Sequence, residues 1–231
     1  MSATKDTNCA SQNGTMSNFS KVKNIVFDFG GVLLNIDYDR TYKALSKILQ
    51  VDFHPDNLPE NVLKILNEFE TGVANKETFI WNIQRLANKD VPQGKEIIDA
   101  WNAMLIGWDT SIFDILLALR KKYKVYLLSN TNEIHLEWVY SDLEKNHDIS
   151  DFDVRFFDKT FYSHLIGFRK PDVAVYNYVT HDAPIKPKET IFIDDILRNI
   201  QGAQSAGWKG YHHHPADDLG IVLREKLKLN F

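Results

Sequence analysis

Short apolar runs, each closing on a polar or acidic residue and separated by helix-length segments, limit most strongly what this chain can fold into. The first run, Asn24 to Phe29 (NIVFDF), is β-branched and aromatic and stops at Gly30–Gly31. That is the pattern of a buried strand entering a turn. Lys124 to Leu128 (KVYLL) and Thr190 to Ile193 (TIFI) repeat it, with weaker runs at Lys159 to Ser163 and Lys209 to His212. Between them, Ser111 to Lys122 carries apolar residues at helical spacing and ends in basic residues, which suits a helix C-terminus. Pro171 to Thr180 opens with a proline, expected at the first helical position, and Ile196 to Ala206 stops at Gly207, a C-cap signal. Strands alternating with helices predict an α/β chain: a doubly wound, Rossmann-like parallel sheet covered on both faces.

One stretch breaks the rhythm. From Asp37 to Ile106 no strand is expected, and helical patterns run at Arg40 to Leu49, Glu60 to Glu70, Lys76 to Ala87 and Lys95 to Leu105. The expected organisation is therefore a polar tail (1–22), an α/β core (23–36 and 107–231) and a helical insertion (37–106). Open α/β sheets place ligands at strand C-termini, so an insertion leaving the first strand there would cover the site as a lid.

Bulk properties narrow the function classes. The net charge is −4; with no basic field, nucleic acid is not an expected partner. No apolar stretch reaches the ~20 residues of a membrane helix, so no membrane partner is expected either. The one cysteine, Cys9, lies among Ser, Thr, Asn and Lys residues, which predicts a reducing, cytoplasmic setting. The first twenty or so residues lack the apolar segment of a secretory signal. The expected assembly is a monomer or a weak homo-oligomer.

Four segments could carry chemistry. Asp28 ends the first strand. Ser129 ends the next strong strand, and Asn130 with Glu133 has capping-box spacing; a hydroxyl and free helix-start amides can bind a phosphoryl group. Lys170 precedes Pro171 and is biased to an extended backbone. Asp194 and Asp195 end a further strand as adjacent carboxylates, which repel unless something positive lies beside them; Mg²⁺ is the usual answer where oxygen ligands gather. Each has a bland reading as a cap or a solvated charge. In a parallel sheet, however, all four strand ends converge on one edge.

These motifs, with FDFGGVLLNIDYDR and LLSNTN among them, resemble the haloacid dehalogenase-like hydrolase superfamily over Lys23 to about Gly210. The likeness is to the branch of small-molecule phosphatases with a helical cap, glucose-1-phosphate phosphatase-type members included. The resemblance implies that Asp28 is the nucleophile and forms an aspartyl-phosphate. It implies Mg²⁺ held by Asp28, Asp195 and the Gly30 carbonyl, with Asp194 a neighbouring or water-mediated ligand. Ser129, Asn130 and Lys170 would bind the phosphoryl group, and Arg40, at the entrance to the insertion, would reach the substrate. Asn199 falls where relatives often carry an acidic residue.

Gly30 departs from the family pattern, which places a general acid two residues after the nucleophile. Losing such help costs ~10²- to 10⁴-fold. Asp37, Asp39, another residue of the insertion, bound water or a reactive leaving group are the candidate replacements. The leading expectation is a Mg²⁺-dependent phosphatase for a small phosphomonoester such as a sugar phosphate. The alternatives are a non-catalytic phosphometabolite-binding protein, kept open by Gly30, and a haloacid dehalogenase, which needs no metal and so leaves the Asp194–Asp195 pair unexplained.

Overall fold

The computed structural model describes residues 19–231; Cys9 and most of the expected tail lie outside them. Phe19 packs against the core and Val22 is buried in it, so the fold starts a few residues ahead of the expected boundary. Five parallel strands form one sheet in the order β5 (Lys159–Tyr162), β4 (Lys124–Ser129), β1 (Asn24–Phe27), β6 (Thr190–Asp194), β7 (Lys209–His212). Alternate residues of these strands feed two separate cores. Ile25, Phe27, Val125, Leu127, Ile191 and Ile193 face one side; Val26, Tyr126, Leu128, Phe161 and Phe192 face the other. A strand buried on both faces has to be apolar throughout, which is why these runs stood out.

Register places the chemistry. Phe27 lies opposite both Leu127 and Ile193. Asp28 is therefore level with Asp194, and Ser129 lies one residue beyond that level on β4. Strand order reverses beside β1, where crossovers depart to opposite sides and leave a crevice.

The chain leaves the sheet after β1 and returns before α5 (Ser111–Arg120). In between lie α1 (Tyr38–Leu49), α2 (Glu60–Glu70), α3 (Lys76–Gln84) and α4 (Gly94–Asn102). They share a core of their own around Leu45, Phe69, Phe79 and Trp101, into which Ile134 of α6 (Glu133–His147) inserts. Two short strands, β2 (Leu34–Ile36) and β3 (Leu105–Trp108), pair antiparallel where the insertion leaves and rejoins the core. No strand was expected between Asp37 and Ile106, yet β3 starts at Leu105: it is short and part-exposed, and its pairing is visible only once both ends of the insertion meet. The helix after Lys170 begins at Val173 rather than at Pro171: Asp172 caps it, accepting from the Ala174 N–H at 2.9 Å.

Candidate active site

The crevice opens into a cavity of about 600 Å³ between the sheet edge and the insertion. Asp28, Gly30, Ser129, Asn130 and Lys170 all line it. Asp28, Asp194 and Asp195 each offer a carboxylate oxygen within 4.8 Å of the others'. Residues far apart in the chain are thus brought to one point by strand register.

Lys170 is the hub. It is 1% exposed, and its Nζ lies 2.6 Å from Asp28 Oδ1 and 2.8 Å from Asp194 Oδ2, while donating to the Leu128 carbonyl at 3.0 Å. Burial favours the neutral amine, but the two carboxylates outweigh it and the net shift is upward; Lys170 is a buried ammonium. Its backbone is held by Asn130, whose side chain accepts from the Lys170 N–H at 2.8 Å and donates to the Lys170 carbonyl at 2.9 Å. The capping role expected of Asn130 belongs instead to Asn132, whose Oδ1 accepts from the His135 N–H. Glu133 reaches across to the insertion and accepts from the Lys76 N–H at the start of α3.

The acidic cluster carries more negative charge than one ammonium offsets. Burial, then the Asp194 charge, pushes Asp28 well above the usual carboxylate range, against the pull of Lys170. Asp195 is raised for the same two reasons. Asn199 donates to both Asp194 oxygens at 3.0 Å, which fixes that carboxylate and gives Asn199 a definite structural place. Three clustered carboxylates with spare negative charge are the donor set a hard divalent cation takes. Among the described residues nothing donates a hydrogen bond to the Gly30 carbonyl, so that oxygen is also available. Ser129 is 3% exposed and lines the cavity; its hydroxyl makes no hydrogen bond with a described residue and is suited to a ligand oxygen.

Arg40 is not brought in. It pairs with Asp37 at 3.4 Å and does not line the cavity. Neither Asp37 nor Asp39 lines it: Asp37 caps α1, accepting from the Asp39 N–H, and Asp39 lies 3.5 Å from Lys43. A capping carboxylate must point back at its own helix, which removes it as a substitute acid. Gly30 sits against Ile36: a Cβ there would fall 2.8 Å from Ile36 Cδ1.

Several wall residues were not singled out from sequence. Tyr38 lines the cavity although it is 44% exposed overall; desolvation at the cavity wall, with the charges of Asp28, Asp195 and Glu70, raises its phenol above the ordinary tyrosine range, so it stays a neutral donor. His135 stacks on Trp101 at 5.3 Å and contacts Asn102 Oδ1 at 2.8 Å; burial pushes it down to about 3. Tyr38 is the tyrosine of the NIDYDR run already quoted, but only the turn of α1 shows which way its ring projects. Of the aromatic residues of the insertion, Trp101 lines the cavity, Phe69 and Phe79 are core, and Trp81 is exposed.

A family model described as haloacid dehalogenase-like hydrolase matches residues 22–207. The chain belongs to the haloacid dehalogenase-like hydrolase family. Within it, the chain is 31% identical over 208 residues to a D-ribitol-5-phosphate phosphatase of Bacteroides thetaiotaomicron, covering 87% of this chain and 98% of that one. Among solved structures it is similar to a HAD family enzyme of the same bacterium in complex with magnesium and inorganic phosphate. That likeness has 34% identity and a TM-score of 0.74, and covers 88% of this chain and 100% of the other. It is also similar to a predicted HAD-like hydrolase of Porphyromonas gingivalis, at 27% identity and a TM-score of 0.80, covering 91% and 100%. The parallel-sheet core matches the fold of these HAD relatives. Among the described residues no helix is long and apolar enough to cross a membrane.

Proposed function

We propose that this protein is a Mg²⁺-dependent phosphatase that hydrolyses a small phosphorylated metabolite, of the sugar or sugar-alcohol phosphate class, through a covalent phosphoryl intermediate on Asp28. The observation that carries it is the placement of Asp28 on the cavity floor, Oδ1 anchored by Lys170 and by the Phe29 N–H, both at 2.6 Å. Relatives point the same way: one is named a D-ribitol-5-phosphate phosphatase, and another was solved with magnesium and inorganic phosphate.

In this reading Asp28 attacks phosphorus, the phosphorus–oxygen bond to the leaving group breaks, and the departing oxygen takes up a proton. Water then attacks the phosphoaspartate and returns the carboxylate with release of inorganic phosphate. Lys170 stays charged throughout and offsets the negative charge gathered on nucleophile and phosphoryl group. Ser129 and Asn130 hold phosphoryl oxygens. Asp28, Asp195 and the Gly30 carbonyl would hold Mg²⁺, with Asp194 beside them locking Lys170; the ion would neutralise phosphate charge and orient attack. The helical insertion would act as a cap that excludes bulk water once substrate binds. With Gly30 in place of an acid, the proton comes from bound water or is spared by a good leaving group.

The test is phosphate release from a panel of sugar, sugar-alcohol and other small phosphomonoesters, with Mg²⁺ and then with excess chelator. Release by wild type that chelator and Asp28→Asn each abolish supports the reading. An Asp28→Asn protein of undiminished activity would sink the mechanism, and a folded wild type that releases phosphate from none of the panel would leave a phosphometabolite-binding protein instead.

A further inference from the structure

The cavity wall holds polar groups that the catalytic reading leaves idle. Arg198, near the start of the helix Leu197–Ser205, is exposed and lines the cavity. It makes no hydrogen bond or ion pair with any described residue. Arg169 lies 2.7 Å from Glu70 Oε2 and donates to Asn67 Oδ1 at 3.0 Å. Even so, Glu70 Oε2 and Arg169 Nε are buried without a hydrogen bond, and so is Asn132 Nδ2. Of the five buried side-chain polar atoms without a hydrogen bond among the described residues, these three belong to cavity-lining residues. Glu70 Oε2 still meets the Arg169 guanidinium, but Arg169 Nε and Asn132 Nδ2 stand unmatched, which is costly, so the wall suits a polar partner.

We propose that Arg198, Glu70 and Arg169, with Asn132, recognise hydroxyl groups on the carbon chain of the substrate, and so select a polyol phosphate over an alkyl phosphate. The proposal rests on the phosphatase reading above and adds to it the groups that read the leaving alcohol. The mixture of charges decides the ligand. A hydroxyl accepts from a guanidinium or amide and donates to a carboxylate in the same contact. Adjacent hydroxyls would therefore match a row in which Glu70 stands among donors. A second anionic group on the substrate would suit the arginines but meet the Glu70 carboxylate, which already lies within the fields of Arg169, Lys170 and Arg198. A plain hydrocarbon chain would cover these groups and leave them unmatched. Sites built to bond a hydroxyl reject the analogue lacking it far more strongly than apolar pockets reject an extra methylene.

The experiment compares a pentitol phosphate with pentyl phosphate, which has the same carbon count and no free hydroxyls, under saturating Mg²⁺. For each compound kcat/KM is measured for wild type, Arg198→Met and Glu70→Gln, substitutions that keep side-chain bulk. Wild type should favour the pentitol phosphate, and each variant should shrink that preference by about 10- to 100-fold, chiefly through KM. A wild type that favours pentyl phosphate, or a preference undiminished in both variants, overturns the proposal. Release from neither compound would remove the phosphatase reading instead. Calorimetric titration of the same two compounds with Mg²⁺ then reads recognition alone: tighter binding of the pentitol phosphate, weakened by Arg198→Met, upholds the proposal, and equal affinity overturns it.

Discussion

Replacing Lys170 by Met removes the cation that contacts two buried carboxylates, and its consequence can be worked from the geometry. The ammonium lies 2.6 Å from Asp28 and 2.8 Å from Asp194. At an effective dielectric constant of about 20, each contact corresponds to about 6 kcal/mol of gross attraction. Desolvation of the three groups offsets most of that, and breaking a buried pair by removing one partner costs a net ~3–5 kcal/mol. In a chain of this length, 1 kcal/mol moves Tm by ~2–4 °C, so Lys170→Met in chelator should melt on the order of 6–20 °C below wild type. Magnesium should narrow the gap, because a divalent cation among Asp28, Asp194 and Asp195 supplies the missing positive charge, while activity should stay at least ~10²-fold down. Differential scanning calorimetry with and without Mg²⁺, beside phosphate release, reads all three quantities. A variant that melts with wild type in chelator, or one that Mg²⁺ stabilises no more than wild type, would refute the electrostatic account of the hub.

Other perturbations test the remaining parts. Gly31 has φ +77°, and a Cβ there would fall 2.4 Å from Asp195 Oδ2; Gly31→Ala should displace that carboxylate and raise the Mg²⁺ concentration needed for half-maximal activity, whereas an unchanged requirement would place Asp195 outside the metal site. His135 is held neutral in the fold, its value lowered from 6.5 to about 3. The unfolded chain therefore binds the extra proton first as pH falls. The stability from this group is complete above about pH 6.5 and declines at up to about 1.4 kcal/mol per unit toward pH 3. Urea titrations of wild type and His135→Gln at pH 7 and pH 5 should differ in this slope, and parallel losses would exclude His135 as its source. Restoring an acid by Gly30→Asp drives the new side chain into Ile36. The Gly30→Asp/Ile36→Ala double variant should release phosphate faster than Gly30→Asp alone, and equal rates would show that Ile36 is no obstacle.

What the sequence by itself determined was local and periodic. Strands buried on both faces have to be apolar end to end, so β1, β4 and β6 were legible, and with them the polar residues at their ends. Asp28, Ser129, Asp194 and Asp195 were singled out for that reason, and Lys170 by the proline that follows it. The four insertion helices were legible from their own spacing, and α2 spans the residues expected, Glu60–Glu70. Tertiary structure alone decided how these pieces meet. The pairing of β2 with β3 needs both ends of the insertion side by side, and no local pattern announces it. Asn130 turned out to hold Lys170 rather than to cap a helix, because its partner is forty residues away. Asp37 and Arg40 looked like site residues from their place in the chain, yet the turn of α1 directs them to each other, while Tyr38 between them lines the cavity. Glu70, Arg169 and Arg198 carry no local signal of a site; only the fold sets them on one wall. Side-chain type records what a residue can do; which neighbours it serves depends on directions fixed only when distant elements pack.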